Sequence, residues 1–501
     1  MSRDTDDMLG ARTKILFVTS ELYPLIKTGG LADVSASLPA ALRALGFDVR
    51  ILLPGYASVL RQLPQTRKAA LISNVAGYYP DCTLRTSRSP DTEVPLILLD
   101  CPTLYWHENG PYQDRSGADL PDNHLRFGLL GYVAALLASD ESPLSWRPDI
   151  VHCNDWQSGL APAYLNFMSG AKPPSIMTIH NLAFQGIFPP ETLPWLGLPA
   201  QSFQIDGLEY YGQVSFLKAG IFYSNHITTV SPTYAEEIQQ EPLGMGLQGL
   251  LTTRKDQLTG ILNGIDESAW NPKLDPHIPM PYDLASLGNK RHNKTALQQR
   301  MGLDVDTNTP LLGVVSRLTS QKGTDLIIQI IPDLVSRGCQ LAVLGSGDAA
   351  NENALRQFSV QYPGKVAVKI GFDESLSHLI TAGIDIFLMP SQFEPCGLNQ
   401  MYSQRYGTPP LVSATGGLAD TVVDHSDRSS ADGVGSGIVL QEFTSPGLLD
   451  AVDRALLLFR DSESWQKLQR AGMERDFSWV ASAQRYGDLY RSLIQPQHQS
   501  T

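Results

Sequence analysis

Phe387-Leu-Met-Pro-Ser-Gln-Phe-Glu-Pro-Cys-Gly-Leu-Asn-Gln400, followed by Ser413-Ala-Thr-Gly-Gly-Leu-Ala-Asp420, decides how this chain is read. The apolar run 384–389 has the hydrophobicity of a parallel strand covered on both faces. Pro390-Ser391 ends the strand, Glu394 follows between Phe393 and Pro395, and Gly397 precedes an expected helix over 398–406. That order puts Glu394 and the amides of Cys396, Gly397 and Leu398 at the carboxyl end of a strand, where open α/β sheets bind ligands. A carboxylate there can hold sugar hydroxyls, while helix-start amides favour a phosphate. Taken alone, the stretch reads equally well as a strand-to-helix turn with one solvated acid.

Composition narrows the classes. A chain of 501 residues exceeds a single ordinary core, so two or three domains are expected. With 42% hydrophobic and 18% charged residues it reads as soluble and globular. A formal charge of −13 argues against general nucleic-acid binding but allows a local basic pocket. The five cysteines lack metal-site spacing and read as buried thiols in a reducing compartment. The acidic, polar segment 1–7 is unlike a signal or transit peptide, and no apolar run approaches the roughly 18 residues of a membrane span. A cytoplasmic protein without membrane contact is expected.

Working outward, Lys14-Ile-Leu-Phe-Val-Thr19 reads as a first strand, Gly29-Gly30 opens a helix over 31–45, and 48–53 is a second strand. Residues 57–123 read as an irregular elaboration with one apolar run, 95–99. Strands are expected at 150–152, 176–179, 227–230 and 260–262, with helices over 125–138, 160–167 and 214–223. A proline-rich hinge lies in 267–304, and a second α/β series has strands at 311–315, 341–344, 366–370, 384–389 and 411–412. Helices over 454–459 and 481–493 close the chain. The expected division is a first domain over 1–265, a second over 266–480, and a terminal helix in 481–501 that packs back on the first. Thr28-Gly-Gly-Leu-Ala-Asp33 recurs as Thr415-Gly-Gly-Leu-Ala-Asp420, each after a strand and opening a helix, which suggests two nucleotide-type domains.

Several residues could carry chemistry. Arg317 and Lys322 follow the first strand of the second series, on a loop expected to be exposed, and two cations there suit a diphosphate. Lys27, just before the first glycine pair, could reach an anion. Neither a GxxxxGK[ST] loop nor a GxGxxG fingerprint is present. His152, Asp155 and His180 end two strands; their spacing gives no metal signature, no G-x-S-x-G elbow accompanies them, and His180 reads as either a core histidine or a sugar contact.

Seven segments together resemble the bacterial glycogen synthases and plant starch synthases. They are Lys27-Thr-Gly-Gly-Leu-Ala-Asp-Val34, Asn154-Asp-Trp156, Thr178-Ile-His-Asn181, Val230-Ser-Pro-Thr-Tyr234, Ile261-Leu-Asn-Gly-Ile-Asp266, Ser316-Arg-Leu with Gln321-Lys-Gly323, and Phe393-Glu-Pro-Cys-Gly-Leu398. The likeness runs from about residue 14 to about residue 490. It implies an α/β GT-B fold, two Rossmann-like domains facing across a deep cleft, and retaining transfer of glucose from ADP-glucose to the non-reducing end of an α-1,4-glucan.

The same resemblance implies roles for single residues. Lys27, Arg317 and Lys322 would hold the diphosphate, and Glu394 the donor glucose hydroxyls. His180 would sit by the anomeric carbon, with Asp155, Asn181, Asn263 and Tyr112 around the sugar. Gly29, Gly30, Cys396, Gly397, Leu398, Thr415, Gly416 and Gly417 would line the substrate. No metal or other cofactor is implied. Two positions depart from related patterns: Tyr402 stands where related retaining transferases carry a second Glu, and Gln157 where several members have His. Competing readings are a GT-B transferase using UDP-glucose or a small acceptor, a silent glucan-binding protein, and a nicotinamide dehydrogenase. The last lacks its glycine fingerprint.

Overall fold

Unbroken apolar segments such as Lys14–Val18 become central strands because both faces of a parallel sheet are covered by helices. In a computed structural model of the chain, residues 12–73, 79–107, 109–170, 172–426, 428–429 and 432–494 are described. The chain forms two compact units. One comprises Met1–Val230, Ala235–Gly264 and Trp479–Thr501, the other Ser231–Tyr234 and Ile265–Ser478.

The first unit begins with β1 (Lys14–Val18), β2 (Asp48–Pro54), β3 (Arg67–Ile72), β4 (Cys82–Arg88), β5 (Pro95–Asp100), β6 (Ile150–Asn154) and β7 (Ser175–Ile179). It continues with β8 (Ile187–Phe188), β9 (Glu209–Tyr210), β10 (Gln213–Ser215), β11 (His226–Thr229) and β12 (Leu258–Gly260). Its main sheet has the order β12-β11-β7-β6-β1-β2-β5-β4-β3, and β8-β10-β9 form a small separate sheet. Pairing is parallel from β12 to β5, while β4 and β3 extend the edge antiparallel. The described residues of 57–105 are therefore not irregular. They supply three strands of this sheet and short helices at Ala57–Gln62 and Pro102–Tyr105. Arg67–Ile72 and Cys82–Arg88 lie at an edge half open to solvent, so their polar residues hide the strand pattern. The expected strand at 260–262 lies slightly earlier, and the start of the expected helix 214–223 is strand β10, with the helix at Phe216–Tyr223.

Helix Trp479–Ile494 belongs to this unit. Tyr490 packs edge-on against Phe47, ring centroids 5.7 Å apart, and its hydroxyl meets His152 Nδ1 at 2.7 Å. His152 also bonds Thr178 Oγ1 at 2.6 Å, and burial lowers its pKa to about 3. It is a neutral core histidine that ties strands to the terminal helix.

The second unit holds β13 (Leu311–Val315), β14 (Gln340–Gly345), β15 (Val366–Ile370), β16 (Ile386–Met389), β17 (Pro410–Ser413) and β18 (Ile438–Leu440). They form one all-parallel sheet in the order β15-β14-β13-β16-β17-β18. Helix Thr324–Ser336 buries Ile327, Ile330, Ile331 and Leu334 in the same core as Leu448 and Val452 of Ser445–Arg460. Each such side chain stabilises by about 1.5–3 kcal/mol relative to exposure. The order reverses direction between β13 and β16, the switch point at which parallel sheets open a crevice.

Candidate active site

At that switch point in the second unit lies a cavity of about 200 Å³ lined by Ser316, Arg317, Lys322, Met389, Ser391 and Asn399, among others. Asn399 Nδ2 donates to Val315 O at 2.7 Å and ties helix Asn399–Arg405 to the end of β13. Lys322 Nζ stands 2.5 Å from Glu394 Oε2, and Ser391 Oγ donates to the same oxygen at 3.1 Å. The 316–323 loop is held by close backbone approach: a Cβ on Gly323, whose φ is +68°, would meet Pro390 O at 1.9 Å. Lys322 is not exposed as expected, because its side chain is only 16% accessible against the buried Glu394. Arg317 is exposed and donates to Gln321 Oε1 at 3.3 Å.

The second glycine pair supports Glu394 from below. A Cβ on Gly416 would lie 2.0 Å from Glu394 O, and one on Gly417 2.0 Å from Cys396 O. The Gly417 N–H donates to Glu394 O and Pro395 O, both at 3.1 Å. This amide holds the Glu394 turn. Thr415 is buried with its N–H on Ser413 O, and Gln400 bonds Cys396 O, Gly397 O and Thr421 Oγ1, bracing the loop against helix Gly416–Thr421. Leu398 caps helix Asn399–Arg405.

In the first unit a second cluster forms at the carboxyl ends of the neighbouring strands β7, β6 and β1. Asp155 Oδ1 accepts the His180 N–H at 2.8 Å, and the Asn181 amide also donates to this carboxylate. Asp155 has a left-handed φ of +53°, a backbone cost that points to a functional constraint. Burial, opposed by those amides and reinforced by the charge of Glu21, raises its pKa to about 7. His180 Nε2 lies 3.0 Å from Asn154 Oδ1, while Asn154 Nδ2 donates to Val18 O at 3.0 Å. With its amide so oriented, Asn154 accepts the Nε2–H of a neutral imidazole, and burial lowers the His180 pKa to about 4. His180 is thus clamped through both its main chain and its ring. Asn181 Oδ1 accepts the Ala183 N–H at 3.0 Å.

Sequence reasoning missed Glu21. Its buried carboxylate accepts Thr28 N–H at 2.6 Å, Gly29 N–H at 3.1 Å, Thr28 Oγ1–H at 2.5 Å and Tyr112 Oη–H at 2.7 Å. The Gly29 amide is thus bonded to an internal carboxylate. The usable signal was an acid on the loop that runs from the end of β1 to a glycine turn. Gly30 starts helix Gly30–Ala44. Lys27 Nζ pairs with Asp33 Oδ1 at 2.8 Å and lies over the Tyr23 ring. Tyr112 also meets Ser20 Oγ at 2.7 Å and packs near Trp156. Asn263 and Gln157 are buried, and Asn263 Oδ1 and Gln157 Oε1 find no hydrogen-bond donor among the described residues. No group of three His, Cys, Asp or Glu side chains among the described residues could hold a metal ion.

Residues 14–253 match the family described as "Starch synthase catalytic domain", and 297–470 match "Glycosyl transferases group 1". The chain is 56% identical over 485 residues to a glycogen synthase of Nitrosomonas eutropha, covering 96% of each chain. It is 55% identical over 483 residues to a glycogen synthase of Nitrosospira multiformis, covering 96% of this chain and 97% of that one. Among solved structures, the catalytic domain of starch synthase IV from Arabidopsis thaliana, bound to ADP and acarbose, superimposes with a TM-score of 0.85 at 30% identity. That match covers 97% of this chain and 100% of the other.

Proposed function

This chain belongs to the family of glycogen and starch synthases, and from that membership we propose that it takes glucose from ADP-glucose and adds it to the non-reducing end of an α-1,4-glucan with retention of configuration. Its fold is the two-domain α/β glycosyltransferase class, GT-B, and its reaction is glucosyl transfer to a glucan. The observation that carries the finer reading is the Lys322–Glu394–Ser391 contact in the cavity at the β13–β16 switch point. A cation for the leaving diphosphate and a carboxylate for sugar hydroxyls stand in direct contact there.

Arg317 and Lys322 stabilise the negative charge that grows on the diphosphate, and Lys27 supplies a further cation. Glu394 accepts from the donor glucose hydroxyls. Asp155, by holding the His180 N–H, sets the direction of the His180 main chain, whose carbonyl faces the positive charge developing at the anomeric carbon. Asn263 Oδ1 keeps its acceptor capacity for a sugar hydroxyl. Asp155, Glu394 and Glu21 are each occupied by N–H or O–H donors. That favours front-face attack by the glucan hydroxyl over a carboxylate nucleophile.

The fixed cations make a divalent ion unnecessary, so turnover in EDTA should match turnover in Mg²⁺. The reaction takes place in the cytoplasm; among the described residues no helix is long and apolar enough to cross a membrane. The decisive experiment incubates the protein with glycogen and either ADP-glucose or UDP-glucose and follows nucleotide release. Faster release from ADP-glucose, with glucose gained by the glycogen, is expected. Equal or faster turnover of UDP-glucose, or donor hydrolysis without chain extension, overturns the reading.

A further inference from the structure

Glu21 is 3% exposed, and no ion pair with it occurs among the described residues. A buried carboxylate without a cation is tolerated only when donors surround it. Here four do so: two main-chain amides of one turn, the Thr28 hydroxyl of that turn, and the Tyr112 phenol. Charge-assisted bonds of this kind are the strong and directional ones. Glu21 is itself fixed, because Thr19 Oγ1 donates to Glu21 O at 3.0 Å and meets Ser35 Oγ at 2.9 Å. One rigid anion therefore ties two separate segments, the turn that follows Lys27 and the loop bearing Tyr112. Its field also reaches Asp155.

We propose that Glu21 is a positioning residue for glucosyl transfer: its carboxylate fills the anion cradle of the Thr28–Gly29 turn and thereby fixes Lys27 and Tyr112 in their working geometry. This inference rests on the function proposed above. Glu21 touches no substrate, because both of its oxygens are already occupied by the protein's own donors. The first glycine turn then differs in kind from a phosphate loop: its amides bind an internal acid, and its output is the placement of neighbouring side chains. Displacing such groups by about 1 Å is enough to cost on the order of a hundredfold in rate.

Glu21→Gln and Glu21→Ala separate positioning from other roles. Gln can turn its Oε1 towards both amides while its Nε2 donates to Thr28 Oγ1 and Tyr112 Oη, whose hydroxyls reverse their roles. Ala removes every bond. Expected for Glu21→Ala is a kcat lower by about a hundredfold, with the KM for glycogen changed less than about threefold, and faster hydrogen exchange at the Thr28 and Gly29 amides. Expected for Glu21→Gln is protected amides and a kcat within about tenfold of the wild type. Wild-type kcat in a folded Glu21→Ala overturns the proposal. So does a Glu21→Gln protein with protected amides and activity as low as the Ala variant, because the charge itself would then be the requirement. Should Glu21→Ala not fold, Glu21→Gln decides alone: protected amides with a kcat within about tenfold of the wild type support the proposal, and protected amides with a kcat lower by about a hundredfold overturn it. A wild-type chain that transfers no glucose to glycogen fails the function proposed above, whereas unprotected Thr28 and Gly29 amides in the wild type fail this inference.

Discussion

Lys322 Nζ lies 2.5 Å from Glu394 Oε2, with the two side chains only 16% and 8% exposed, so the candidate phosphate cation is held against the candidate sugar acid. Arg317, by contrast, is exposed and has one long contact to Gln321. Removing either cation should lower kcat by about a hundredfold or more. Only Lys322→Ala should also lower stability, by about 3 kcal/mol, because it strands a buried carboxylate. Steady-state kinetics and thermal unfolding of both variants check this; equal melting temperatures would show that the pair adds nothing to the fold.

The two copies of Thr-Gly-Gly-Leu-Ala-Asp should respond differently to the same substitution. Gly29 has extended backbone, φ −155°, and a Cβ there meets nothing within 4 Å. Gly29→Ala keeps the N–H that bonds Glu21 and should unfold close to the wild-type temperature. Gly416→Ala, at the equivalent position, places a Cβ 2.0 Å from Glu394 O, a backbone atom that cannot move cheaply, and should cost several kcal/mol. Comparable melting temperatures for the two variants would contradict this close packing.

Asp155 gives stability an unusual pH slope. Its pKa is raised from 3.8 to about 7, chiefly by burial, so between those values the folded state keeps a proton that the unfolded chain has released. Stability from this group is complete below pH 3.8 and is lost as pH rises towards 7. His180, lowered to about 4 by burial, acts in the opposite sense, losing stability as pH falls from 6.5. Asp155→Asn isolates the first effect. The difference in melting temperature, variant minus wild type, should grow from pH 4 to pH 7 and level off above it. A difference independent of pH would place the Asp155 pKa near its ordinary value.

Central strands were legible because parallel burial leaves continuous apolar runs such as Leu311–Val315, whereas the edge strand β3 and its neighbour β4 were not, since both are partly open to solvent and tolerate Arg67, Lys68 and Arg85. Glu394, Arg317 and Lys322 could be picked out because strand ends are recognisable and charges are rare in them. The direct Lys322–Glu394 contact was hidden: it joins residues 72 positions apart through the pairing of β13 with β16. Glu21 escaped for a related reason. A local pattern shows that a glycine turn needs an anion, but not that the anion is supplied from within the chain.

Tyr402, which stands where related retaining transferases carry a second Glu, is accounted for by packing. Its ring stacks on Trp270, centroids 3.9 Å apart and 8° from parallel, and the other Trp270 face stacks on His378 at 3.8 Å and 13°. His378 Nδ1 meets Asp275 Oδ2 at 2.8 Å, and Tyr406 donates to the same oxygen at 2.6 Å. Burial alone would lower the His378 pKa, but hydrogen bonds to Asp275 and Glu374 outweigh it and hold the ring above its usual value. An acid at position 402 would replace a flat apolar face on Trp270 with a charge that has nothing to stack. Tyr402→Glu should therefore lose about 2–4 kcal/mol of stability without gaining turnover, while Tyr402→Phe, which keeps the stacked ring, should lose less. Thermal unfolding and glucosyl-transfer rates of both variants test this. A Tyr402→Glu protein as stable as the wild type and faster in transfer would show that the position is open to a second catalytic acid and that the aromatic stack is dispensable.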